Sequence, residues 1–143
     1  MSILDIDMKS QRKQIRKTIW IYLILSVIAA VFDKVYGIFG HGVDSPSMTW
    51  MFLYPLLGGT LFYFIIERFI PHIIKFSWYR VFCNIYNSGI ATLTFGSLLK
   101  GIFDIAGTSS SYLVFFYIVG GGFIAAGLIM MFIKVISQKR IYV

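Results

Sequence analysis

Four long apolar stretches constrain this chain more than any other feature of its sequence. Each stretch holds about 23 residues, and such a helix is about 34 Å long, enough to cross a hydrocarbon core of about 30 Å. They cover residues 18–40, 48–70, 81–103 and 112–134. Because 58% of the residues are hydrophobic, a soluble domain of this composition would lack polar surface. The sequence therefore predicts an all-α, polytopic membrane protein with four transmembrane helices.

The basic residues are divided unevenly between the two ends of these predicted helices. Of thirteen Lys and Arg residues, only Lys34 and Lys100 fall on one side, and the other eleven fall on the opposite side. Basic residues are retained in the cytoplasm, so the division predicts a multi-pass protein of the cell membrane with both termini cytoplasmic. Frequent Ile, Phe, Tyr and Lys favour a low-GC bacterium, and hence a bacterial inner membrane.

The same charge pattern divides the chain into segments. A basic interfacial segment, or alternatively a docking arm for a partner, is followed by two hairpins, a loop between them and a tail. The basic segment covers residues 1–17, the hairpins cover 18–70 and 81–134, the loop between them covers 71–80, and the tail covers 135–143. The outer loops lie at 41–47 and 104–111. The net charge of +7 is explained by topology and by anionic headgroups. The lipid bilayer is therefore a predicted partner, and nucleic acid is not.

The two hairpins resemble each other around their outer loops. Residues 37–61 align without a gap on residues 101–125, a shift of 64, with seven identities in 25 positions. The identities include the Gly-Ile-Phe at both starts, Ser45 with Ser109, and Ser47 with Ser111. We interpret this as an internal repeat of two tandem, parallel hairpins related by a pseudo-two-fold axis along the membrane normal.

The third predicted span carries a ridge of polar, small and charged residues at every fourth position. Such a ridge faces protein or water, because lipid tolerates it poorly. It either supplies hydrogen bonds between helices or lines a polar path. Its members are Asn84, Ser88, Thr92, Gly96, Lys100 and Asp104, with Asn87 and Thr94 beside them.

Charged residues near the outer ends of the first and third spans require partners. Asp33 lies a turn or two below the surface, where an unpaired carboxylate is costly. The sequence predicts that Asp33 pairs with Lys100, or that Lys34 pairs with Asp104.

The serines of the outer loops have two possible roles. Ser45 before Pro46 is a favourable helix start, because serine caps the backbone N–H groups and proline suits the first helical position. If the two hairpins face each other, Ser45, Ser47, Ser109 and Ser111 with Lys34 form an outer anion site. Otherwise these serines only cap their own helices.

The fourth predicted span contains small residues at helical spacing. Gly121 with Ala125, and Gly122 with Ala126, form two small-xxx-small pairs that permit close helix approach. This pattern predicts self-association, a larger membrane protein as partner, or both.

No catalytic arrangement is recognisable, and the sequence predicts neither a metal nor a cofactor. His41 and His72 fall on opposite predicted sides, so they cannot share an ion within one chain. The leading hypothesis is a non-catalytic subunit or accessory component of a membrane complex. The alternative is a small oligomeric transporter or channel that uses the third-span ridge, and the third is an enzyme acting on a lipid headgroup.

Overall fold

The computed structural model describes residues 3–141, so the predicted segments 1–17 and 135–143 each extend two residues beyond it. Within that range every regular element is helical. The elements are α1 (Ile3–Phe39), α2 (Pro46–Thr49), a π-helical segment (Tyr54–Leu61), α3 (Phe62–Phe69), a 3-10 turn (Pro71–Lys75), α4 (Trp78–Ile105) and α5 (Leu113–Ile141). The stretch from α2 through α3 is called the second arm.

Three of these helical stretches are long and apolar enough to cross a membrane. They are Asp5–Phe39, Pro46–Phe69 and Leu113–Gln138. The prediction of a helical chain with several stretches able to span a membrane is confirmed, and this finding is consistent with a multi-pass membrane protein. Helix α4 has 28 residues, but it is not among the three, because its ridge of polar and charged residues lowers its hydropathy.

The second arm is interrupted near Pro55. Pro55 has no backbone N–H to donate, and its ring crowds the carbonyl of the preceding turn. The chain accommodates it with a wider, π-helical turn from Tyr54 to Leu61, after which α-helical geometry resumes in α3. Ser45 takes the N-cap position and Pro46 the first position of α2, as predicted.

The helices lie in a row rather than in a ring. Helix α1 packs along the π-helical segment and α3, while α4 packs against α2 and the π-helical segment on one side and α5 on the other. Among the described residues, no Cα atom of α5 comes within 8 Å of α1, α2, the π-helical segment or α3. The packing of four spans as one bundle and the internal repeat both stay predictions.

Helices α4 and α5 pack antiparallel through glycine. A Cβ atom on Gly89 would lie 2.8 Å from the carbonyl oxygen of Gly120, and one on Gly96 would lie 2.6 Å from the Cβ of Phe116. The two backbones therefore approach closely, as small residues permit in membranes. This pairing places the carboxyl end of α5 at the same end of the molecule as the 3-10 turn.

The aromatic core lies toward the end of the molecule that carries the 3-10 turn. Tyr63 and Phe82 are fully buried, and the ring of Phe62 stacks on that of Tyr86 with centroids 4.4 Å apart. Aromatic pairs at this separation add to the packing energy of the core. The core joins α1, the second arm and α4, and these elements also position the candidate site.

Candidate functional site

A single amide oxygen joins three parts of the chain. Oδ1 of Asn87 on α4 accepts hydrogen bonds from the hydroxyls of Tyr22 on α1, at 2.7 Å, and of Tyr63 on α3, at 2.6 Å. Tyr22 is 7% exposed and Tyr63 is fully buried, so neither hydroxyl has ready access to solvent. A buried hydroxyl without an acceptor costs free energy, and Asn87 removes that cost for both.

The π-helical segment shapes this junction through two glycines. The hydroxyl of Tyr86 donates to the carbonyl oxygen of Gly58 at 2.8 Å. The ring of Tyr22 lies directly over Gly59, in the space that any side chain at position 59 would occupy. Tyr22 can therefore reach Asn87 only because residue 59 is glycine.

An apolar groove opens between α1 and α4 beside this junction. It has a volume of about 480 Å³, which lies within the usual range for ligand pockets. One face of α1 from Thr18 to Phe32 forms one wall, and α4 from Asn87 to Leu98 forms the other, with Met51 and Pro55 as its floor. We call this cavity the α1/α4 groove.

A polar pocket lies on the same face of α1, nearer the amino terminus. It is lined by Asp7, Ser10, Gln11, Gln14, Ile74 and Lys75 and also has a volume of about 480 Å³. The ammonium of Lys75 lies 3.3 Å from Oδ2 of Asp7. The hydroxyl of Thr18, which lines the groove, donates to the backbone oxygen of Gln14, which lines the pocket. The nearest lining residues of the two cavities on α1 are therefore one helical turn apart.

Gln11 is the unusual residue of the polar pocket. The residue is 7% exposed, and its Oε1 has no hydrogen-bond partner among the described residues. Buried amide oxygens normally accept a hydrogen bond, so the Oε1 atom of Gln11 requires an N–H or O–H donor.

The predicted ion pairs at the outer ends of the helices are wrong. Asp33 accepts a hydrogen bond from the hydroxyl of Thr49 at 3.1 Å, and its only cation within 4 Å in the described structure is its neighbour Lys34, at 3.5 Å. Asp104 accepts a hydrogen bond from the hydroxyl of Ser45 at 2.7 Å. Hydroxyls of the loop and of α2 therefore satisfy both carboxylates, and Lys100 is exposed.

The outer serines also differ from the sequence-based prediction. Ser45 holds the N-cap position, but its side chain makes no capping hydrogen bond, because its hydroxyl donates to Asp104. The negative charge of that carboxylate would repel an anion bound at Ser45. Ser109 and Ser111 are exposed in the other loop, while the backbone oxygen of Ser47 accepts from the buried hydroxyl of Ser97. The serines therefore do not converge on one anion site.

The polar ridge of α4 separates into different environments. Asn84 and Ser88 are exposed, and the hydroxyl of Thr92 donates back to the carbonyl oxygen of Ser88 within its own helix. Of the candidate ridge residues, Asn87 is the one that links α4 to both other helices at the aromatic core.

Sequence reasoning missed the three tyrosines that shape the junction. Tyr22 lies near the start of the first apolar stretch, yet it is buried in the core. The available signal was the depth of Tyr63 and Tyr86 within apolar stretches, because a buried phenol hydroxyl requires a partner and Asn87 is a suitable acceptor.

The outer face of α5 carries exposed small residues. Gly120 and Gly127 contact α4, whereas Cβ atoms added to Gly121 or Gly122 would meet nothing within 4 Å. Ala125 and Ala126 are exposed on the same side of the helix. The two small-xxx-small pairs therefore point away from the rest of the chain.

No group of three or more side chains able to hold a metal ion occurs in the described part of the chain. No family model, curated protein or solved structure matches the sequence or the fold.

Proposed function

We propose that this protein is a non-catalytic membrane subunit that associates, with itself or within a larger membrane complex, through the outer face of α5. The observation that carries the proposal is the exposed small-residue surface on α5, opposite α4. In this arrangement α4 also spans the membrane and brings the number of spans to four, both termini are cytoplasmic, and the protein belongs to the cell membrane.

The surface of α5 suits a helix better than it suits lipid. Glycine and alanine leave a shallow depression, and a neighbouring helix that enters it gains close packing along its backbone. Among the helical elements of the described chain, only α4 brings its backbone within 8 Å of α5, and the small residues on the outer face of α5 are exposed. Its apolar composition and length keep these faces within the bilayer, where another membrane helix is the natural partner.

The position of α4 supports its assignment as a membrane span. It runs antiparallel along α5, which is long enough to cross, and its glycines are covered by α5 and α2. Asn87 and Ser97 are hydrogen-bonded to other parts of the chain, and polar residues in a span are tolerated when protein pairs with them.

A small transporter is the second candidate, and the α1/α4 groove favours it. The groove places the amide of Asn87 beside a largely apolar cavity, which Thr18 and Thr94 also line. The wider polar ridge gives less support to this candidate, because Asn84 and Ser88 lie on an exposed face of α4.

The test of the subunit proposal fills the depression on α5. Ala125→Leu adds bulk to the outer face, and Ala30→Leu makes the same change at an exposed position of α1. Association is measured by energy transfer between labelled copies in liposomes, and by the yield of co-purified protein from native membranes. We expect Ala125→Leu to weaken whichever association the wild type shows at least 10-fold, and Ala30→Leu to leave it unchanged. The proposal is contradicted if the wild type is monomeric and purifies without another protein. It is also contradicted if the Ala125→Leu variant associates as strongly as the wild type.

A further inference from the structure

We propose that the polar pocket and the α1/α4 groove together bind one membrane phospholipid with a primary-amine headgroup. The ammonium of the lipid lies at Asp7 and Gln11, its phosphate lies at Lys75, and one acyl chain occupies the groove. This site lies away from the α5 surface, so it is independent of the proposed subunit interface.

The order of polar and apolar groups along α1 matches the order within a phospholipid. Asp7, Gln11 and Gln14 precede Thr18 on one face of the helix, and apolar residues follow from Ile21 to Phe32. The groove runs about 21 Å along α1, from Thr18 to Phe32. One leaflet of the hydrocarbon core is about 15 Å thick, so an acyl chain fits along the groove without leaving its leaflet.

The charges of the polar pocket favour a zwitterion. Asp7 and Lys75 form an ion pair across it, and their side chains are 52% and 34% exposed. Such a pair contributes little to stability, so its members can exchange partners at small cost. A headgroup with one ammonium and one phosphate satisfies the carboxylate and the Lys75 ammonium together. An anionic headgroup without an ammonium leaves Asp7 opposed by like charge.

Gln11 favours one kind of phospholipid headgroup over others. Its unpaired Oε1 needs an N–H or O–H donor, and rotation about the last side-chain torsion, which is broad, presents it to the pocket. A primary ammonium carries three N–H donors, whereas the trimethylammonium of a choline headgroup carries none. A glycerol headgroup offers hydroxyls but no positive charge for Asp7. The primary amine is the group that serves both residues.

The test compares three lipids that have the same acyl chains. Native mass spectrometry of the full-length protein in detergent measures binding of phosphatidylethanolamine, phosphatidylcholine and phosphatidylglycerol. We expect phosphatidylethanolamine to bind at least 10-fold more tightly than the other two. Equal binding of all three, or a preference for either of the others, overturns the proposal.

Variants then separate the headgroup from the chain. Asp7→Asn and Gln11→Leu are expected to reduce phosphatidylethanolamine binding to the level of phosphatidylcholine. Ala91→Trp, which fills the groove, is expected to weaken the binding of all three lipids. Arg12 does not line either cavity, so Arg12→Gln serves as the control. We expect it to leave the binding of all three lipids unchanged.

Because Asp7 is exposed, Asp7→Asn should not affect folding. It therefore tests the headgroup site even if Gln11→Leu, at a buried position, is unstable. Retention of the amine preference in Asp7→Asn, or equally tight lipid binding in Ala91→Trp, also overturns the proposal. Neither result bears on the α5 interface, where Ala125→Leu is the test.

Discussion

Helix α4 is held on its two sides by different kinds of contact. Toward the first hairpin it makes side-chain hydrogen bonds at Asn87, Tyr86, Ser97 and Asp104. Toward α5 it makes no side-chain hydrogen bond within the described range, and glycines bring the two backbones together instead. One side is therefore joined by polar groups and the other by close packing.

This difference shows how a helix of moderate hydropathy can be accommodated between apolar ones. Hydrogen bonds and small-residue packing are the two main ways in which helices associate within lipid, where the hydrophobic effect no longer drives association. Polar contacts specify partners at chosen atoms, such as Oδ1 of Asn87. Glycine packing depends on shape along a whole helix, so a single added methyl group can disrupt it.

The largest effect is expected when the close packing is broken. In Gly89→Ala, the new Cβ would lie 2.8 Å from the carbonyl oxygen of Gly120 and 2.9 Å from the amide nitrogen of Ile124, and backbone atoms cannot rotate away. We expect a loss of about 3 kcal/mol in the free energy of unfolding, at the upper end of the usual overpacking cost. The measurement is reversible unfolding in mixed micelles.

Gly122→Ala is the matched control in micelles that hold one copy of the chain, because its Cβ meets nothing of that chain within 4 Å. It should be neutral, or more stable by up to about 1 kcal/mol, because alanine favours a helix over glycine. Equal effects of Gly89→Ala and Gly122→Ala would mean that α4 and α5 are not packed through Gly89.

An intermediate effect is expected at the hydrogen-bonded side. Asn87→Leu removes the acceptor shared by Tyr22 and Tyr63 and leaves the buried hydroxyl of Tyr63 unpaired. We expect a loss of about 2 kcal/mol, consistent with the cost of an unsatisfied buried polar group.

Tyr63→Phe sharpens the same comparison. It removes one donor but leaves Asn87 paired with Tyr22, so it should cost only about 1 kcal/mol. Both variants are measured by unfolding under the same conditions as Gly89→Ala. If Asn87→Leu is no more harmful than Tyr63→Phe, Asn87 does not join the three helices as described.

The smallest effect tests whether the two outer loops are equivalent. Ser45→Ala removes the 2.7 Å hydrogen bond to Asp104 and should cost about 1 kcal/mol. Ser109→Ala, at the equivalent position of the predicted repeat, changes an exposed side chain and should stay within about 0.5 kcal/mol. Thermal midpoints of the two variants provide the measurement, and equal losses would favour equivalent roles for these serines.

Much of the helical architecture could be predicted from local features. The start of α2 at Pro46 and the disturbance at Pro55 follow from the missing N–H of proline, which is a property of one residue. The pairing of polar atoms could not be predicted in the same way. Asp33 had several candidate partners at similar depth, and the choice of Thr49 depends on where α2 lies.

By itself, the sequence determined that the chain is helical, strongly apolar and long enough to cross a membrane several times, because hydropathy and helix-breaking residues act over short distances. Only the tertiary structure decided which side of each helix is covered. It placed Tyr22 in the core, turned Gly121 and Gly122 outward, and opened the groove beside Asn87. In an apolar helix, periodicity hardly distinguishes the face toward lipid from the face toward protein, since both are apolar, and contacts between distant segments make the choice.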